Sequence, residues 1–99
     1  MQSYYAERFD REMGCTEPEW LSWLPGAVRG HPLTLGDGQA HIAIDGGALC
    51  LTWQVLAPRR IGMVRLPRLA AQFRFDGLGE APRQKFMRYF DLYMQRGGG

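Results

Sequence analysis

The sequence is short of most of the residues that chemistry needs. It holds two cysteines, Cys15 and Cys50, far apart and without CxxC spacing, which excludes a disulfide-dense secreted scaffold. Together with His31 and His41 they are the only soft metal ligands, at irregular spacing, so neither a metal site nor any other cofactor is expected. Ser3 and Ser22 are the only serines, both in segments that read as helix, and neither sits on a nucleophile elbow. Long hydrophobic runs are missing as well: nothing approaches the ~20 apolar residues of a membrane helix. The longest weakly charged stretch, residues 31–58, is broken by Gly36, Gly38, Gly46 and Gly47. Residues 1–14 carry acids and no apolar core, unlike a signal peptide, so a cytoplasmic protein without membrane contact is expected.

Two glycine-rich segments, Gly36-Asp37-Gly38 and Asp45-Gly46-Gly47, lack both the lysine of a phosphate loop and the glycine spacing of a dinucleotide fingerprint. They read as hairpin turns. A hairpin closed at Asp45-Gly46 would set His41 opposite Cys50, a base beside a thiol, yet no third group is at hand to orient the histidine. Catalysis is therefore not expected, although the sequence does not exclude an enzyme.

What is present is an ordinary folded composition. The 99 residues are 45% hydrophobic and 22% charged, enough apolar material for one core and no second. A single α+β domain over residues 1–96 is expected, followed by a flexible glycine tail at 97–99. Its Arg96-Gly97-Gly98-Gly99 ending has the double glycine of ubiquitin-like modifiers but follows a helix instead of their strand, so a frayed terminus is the better reading.

Along the chain, Tyr5, Phe9 and Met13 recur every four residues, which predicts a first short helix capped by Ser3 and ended at Gly14. Thr16-Glu17-Pro18-Glu19 is a capping box, with Cys15 and Trp20 in the flanking staple positions, and predicts a second helix stopped by Pro25-Gly26. From Leu33 the period becomes two, predicting a four- to five-stranded antiparallel meander. Turns are expected at Asp45-Gly46-Gly47, at Ala57–Arg60 and at Pro67-Arg68. That register gathers Ile42, Leu49, Leu51, Trp53, Val55, Val64, Leu66, Leu69 and Phe73 on a core face. Glu80–Gln95 reads as a C-terminal amphipathic helix, its Phe86, Tyr89, Phe90 and Tyr93 facing the sheet and its Arg83, Lys85, Arg88 and Asp91 facing away.

The opposite sheet face mixes polar residues with an apolar island. Thr52, Gln54, Leu56, Ile61, Met63, Arg65 and Arg74 form the expected contact surface of a small non-catalytic interaction or adaptor module, with a protein partner or a second copy in a homodimer. Charge adds an alternative. Residues 1–45 carry net −4 and residues 46–99 net +6, and eleven of the twelve bases are arginine. Arg59, Arg60, Arg65, Arg68 and Arg74 could serve a polyanion such as nucleic acid. No RRM or KH signature accompanies them. A third possibility is a ligand carrier or enzyme using a pocket between helices and sheet.

Overall fold

The computed structural model describes residues 4–97. Its elements are β1 (Arg8–Met13), α1 (Glu17–Ala27), β2 (Leu33–Gly36), β3 (Gln39–Ile44), β4 (Gly47–Ile61), β5 (Val64–Asp76) and α2 (Glu80–Gln95). The five strands form one antiparallel sheet in the order β1-β5-β4-β3-β2. Strands β2 to β5 form an antiparallel meander as expected in kind, though with different strand bounds, while β1 adds beyond β5 and α1 carries the chain from one sheet edge to the other. The architecture is α+β, with one N-terminal and one C-terminal helix.

The expected first helix is a strand. A spacing of four residues is one helical turn and also two strand repeats, so Tyr5, Phe9 and Met13 fit either period. The residue that hid the alternation is Arg11, which shares the covered face with Phe9 and Met13 while Arg8, Asp10 and Glu12 point the other way. Arg11 is tolerated there because its guanidinium lies 5.0 Å from the Phe73 ring centre and forks onto Asp91 of α2. The Ser3 cap and the tail residues Gly98 and Gly99 lie outside the described residues.

Helix α1 begins as expected: the Thr16 hydroxyl accepts from the Glu19 N–H, and the Glu19 carboxylate accepts from the Thr16 N–H. Cys15 and Trp20, on either side of the cap, are both buried. The helix then runs through Pro25 to Ala27 instead of stopping before it. Gly26 makes the exit possible, because a Cβ there would overlap the Tyr93 side chain of α2.

Both helices cover one sheet face. Trp20 meets Trp53 edge-on at 5.7 Å, and Phe90 meets Phe73 at 5.5 Å. The Trp53 indole N–H donates to Glu17 at 2.7 Å, which satisfies its polar end inside the contact. Helix α2 has the expected bounds, but Asp91 and Arg83 do not face away: Asp91 accepts from the Tyr5 hydroxyl and from Arg11, and Arg83 faces inward. Its Nε donates to the Tyr5 carbonyl at 2.9 Å and its Nη1 to the Leu78 carbonyl at 3.4 Å. Gln84 grips the same residue from both sides, accepting from the Tyr5 N–H and donating to its carbonyl, each at 2.7 Å. The segment before β1 is thus pinned to α2 through its backbone.

The largest departure concerns the two expected proline turns. Neither exists. Strands β4 and β5 form one long hairpin whose turn is Gly62-Met63, between the paired residues Ile61 and Val64. Gly62 has φ +60° at the first central position, where a type II′ turn requires glycine. The ladder pairs Leu56 with Arg68 and then Arg59 with Leu66, so Ala57 and Pro58 oppose Pro67 at a β-bulge. A bulge already interrupts the ladder, so two residues without an N–H fit there at little cost.

Candidate functional site

The long hairpin leaves the core behind. Leu69 is fully buried, whereas its partner Val55 is more than half exposed, and between Ala57 and Leu66 every residue is exposed. The result is a projecting two-stranded arm with Met63, 100% exposed, at its tip. Val55, Val64 and Leu66, expected in the core, belong to this arm.

Residues directly opposite in an antiparallel ladder share a face. Beyond the bulge, Ile61 faces Val64 and Arg59 faces Leu66. By the unbroken alternation of β5, these pairs continue the uncovered sheet face that carries Leu56, Arg68, Gln72 and Arg74. Arg60 and Arg65 face each other on the opposite side. Arg65 is thereby separated from Thr52, Gln54, Leu56 and Ile61, with which it was expected to share a face. The expected register closed the strand four residues too early, and a two-residue turn at Gly62-Met63 pairs Ile61 with Val64 instead.

The root of the arm is braced. Arg68 donates to the Glu12 carboxylate at 2.8 Å and to the Ala57 carbonyl at 3.2 Å, and Arg59 lies 3.8 Å from the same carboxylate. The hydrogen bond from Arg68, with the charge of both arginines, holds the Glu12 carboxyl below its ordinary pKa. Arg60 and Arg65 have no hydrogen-bonding or ion-pair partner among the described residues. The sequence contains no acid between Asp45 and Asp76, so the arm carries three arginines, Arg59, Arg60 and Arg65, and nothing to neutralise them within itself.

Nearer the centre of the sheet, Thr52 donates to Gln72 at 3.0 Å, and Gln54 is exposed beside them. Arg74 is engaged with Asp76 at 3.1 Å. His41 does stand opposite Cys50, through a turn at Asp45-Gly46 with Asp45 at φ +51°. The Cys50 thiol, however, is directed at Asp76, 3.7 Å away. A thiol donating to a carboxylate is not thereby activated as a nucleophile. Cys15 is less available still: burial, with the Glu19 charge adding to it, pushes its thiol pKa up to about 11. Among the described residues no three histidine, cysteine or acidic side chains cluster as metal ligands, and no helix is long and apolar enough to cross a membrane.

A second feature escaped the sequence reading. Arg29 and His31 follow α1, Asp45 turns between β3 and β4, and Lys85 and Tyr89 lie one turn apart on α2; together they border a pocket of about 320 Å³. The Arg29 guanidinium lies 4.5 Å from the Tyr89 ring centre. Only the juxtaposition of three distant segments makes this site, and no local pattern marks it.

No protein-family model matches the chain, and no curated protein sequence matches it either.

Proposed function

We propose that the chain is a small non-catalytic interaction module that associates through its β4–β5 arm, in the first place with a second copy of itself. The observation that carries this reading is the arm's unburied apolar surface: Ile61, Val64 and Leu66 on one face, continued by the half-buried Leu56, and Met63 at the tip. Two strands alone are marginal in water, and a contiguous exposed apolar patch rimmed by charge is the usual mark of an interface. Each of these side chains contributes ~1.5–3 kcal/mol when fully buried, and only a partner can bury them. A second copy also supplies an acid for the arm's arginines, since Asp10 lies on the uncovered sheet face and its own chain pairs it with no arginine among the described residues. Light scattering at high micromolar concentration tests this reading. A dimer that Ile61→Glu or Val64→Glu converts to a folded monomer is the expected result. A monomeric wild-type chain overturns self-association.

One observation favours nucleic acid as a second partner class. Arg60 and Arg65 stand directly opposite each other, and like charges in that position destabilise a hairpin unless an anion lies between them. A two-stranded ribbon also fits the major groove of DNA. If phosphates occupy this pair, affinity for mixed DNA and RNA pools falls steeply with salt, and Arg60→Gln or Arg65→Gln each lowers the salt slope by about 1. Absence of binding at low ionic strength removes this second reading.

A further inference from the structure

We propose that the pocket between α2, the segment after α1 and the β3–β4 turn binds a small organic anion: a phosphate or carboxylate group on a compact apolar body. Its charge is the first argument. Arg29 and Lys85 reach it from separate elements, His31 stands beside them, and Asp45 is the only acid in the lining. Among the described residues none of the three is ion-paired or hydrogen-bonded to a carboxylate. Unneutralised cations from separate elements around one cavity are a ready site for an anion.

Preorganisation is the second argument. The Arg29 guanidinium rests over the Tyr89 ring, 4.5 Å from its centre, which holds the cation in place, and its N–H groups suit a bidentate contact with two oxygens. The His31 ring is likewise held against Phe86, with centres 5.6 Å apart. Ile44 and Pro82 complete an apolar wall, which gives the body of the ligand somewhere to lie. The volume, about 320 Å³, is at the small end of the range for small-molecule sites.

The backbone adds a third. Arg29 and Asp45 are the two non-glycine residues with positive φ among the described residues, at +53° and +51°, and both border this pocket. Asp45 is explained by its hairpin turn, where aspartate tolerates that conformation. Arg29 stands at the C′ position of α1, just after the Val28 C-cap, where a left-handed residue commonly ends a helix and glycine is the usual choice. An arginine in place of that glycine puts a cation at the border of the pocket.

Isothermal titration with phenyl phosphate, benzoate and phenol tests the proposal on the wild-type chain and on Arg29→Gln, Arg29→Gly and Lys85→Met. Saturable binding of phenyl phosphate or benzoate, but not phenol, is expected, with affinity reduced at least tenfold by each variant. Whichever anion binds more tightly identifies the head group as phosphate monoester or carboxylate. Arg29→Gly is also expected to melt at a higher temperature than Arg29→Gln, because it relieves the backbone while still losing the ligand. Binding of neither anion, equal binding of phenol, or wild-type affinity in the correctly folded variants overturns the proposal. None of these outcomes depends on whether the arm associates with a partner.

Discussion

Removing the arm separates its role from that of the body. Leu56 and Arg68 already pair directly, so replacing residues 57–67 with Asn-Gly closes β4 onto β5 by a two-residue turn without altering the register below. The lost ladder is short: Arg59 with Leu66, Arg60 with Arg65, and Ile61 with Val64. Cross-strand pairs contribute ~0.2–1 kcal/mol each, and the Arg60–Arg65 pair is unfavourable. Against this, holding a residue in one backbone conformation costs ~1–2 kcal/mol. Ten exposed residues therefore carry an ordering cost of order 10 kcal/mol that their few contacts do not offset within one chain. The Arg68–Glu12 bridge at the root survives the excision, and only its bond to the Ala57 carbonyl goes. Urea unfolding followed by the fluorescence of the buried Trp20 and Trp53 should place the shortened monomer within ~1 kcal/mol of the monomeric full-length chain. In hydrogen exchange, the arm amides of dilute full-length protein should show little protection and gain it on association. A shortened chain that unfolds, that loses more than ~2 kcal/mol, or that still dimerises would refute this reasoning.

Two further outcomes follow from the body of the fold. Gly26→Ala drives a methyl group into the Tyr93 side chain where α1 crosses α2, and should cost ~1–3 kcal/mol in the same urea assay. The Tyr5 phenol is pushed up to about 12, first by burial and then by its hydrogen bond to Asp91 at 2.6 Å. Because the folded value exceeds the ordinary 10, the stability it contributes is complete below pH 10 and is lost as pH rises from 10 towards 12, by at most about 3 kcal/mol. Tyr5→Phe should cost ~1 kcal/mol at neutral pH and flatten that alkaline decline.

The features legible in the sequence were those set by local chemistry. Thr16 and Glu19 define the start of α1 within four residues, and the i, i+3, i+4, i+7 aromatics define α2. Aspartate followed by glycine marks the turn at Asp45 wherever the rest of the chain goes. The features that were not legible needed a distant partner. The chain around Phe9 becomes a strand because β5 offers a free edge and Asp91 of α2 receives Arg11. Arg83 turns inward because the Tyr5 carbonyl accepts from it there, beside Gln84, which serves both the N–H and the carbonyl of Tyr5. Pro58 and Pro67 look like turn residues one at a time; only their opposition across a bulge shows why neither bends the chain.

The exposure of the arm has a simpler origin, which is length. At ~1.5 Å per residue, α2 with 16 residues reaches about 24 Å and α1 with 11 residues about 17 Å. Strand β4, with 15 residues at ~3.3 Å each, reaches about 50 Å, in keeping with the 47 Å long axis of the molecule. Two helices packed side by side on one face cannot cover a hairpin twice their length, so the half of it beyond Leu69 must stand clear. Alternating apolar residues are therefore no proof of burial: Val55, Val64 and Leu66 keep the strand pattern after the layer that would cover them has ended. The same excess length carries Arg60 and Arg65 away from every acid in the chain. The arm's apolar surface and its unneutralised charge thus share one geometric cause, and neither is met within this monomer.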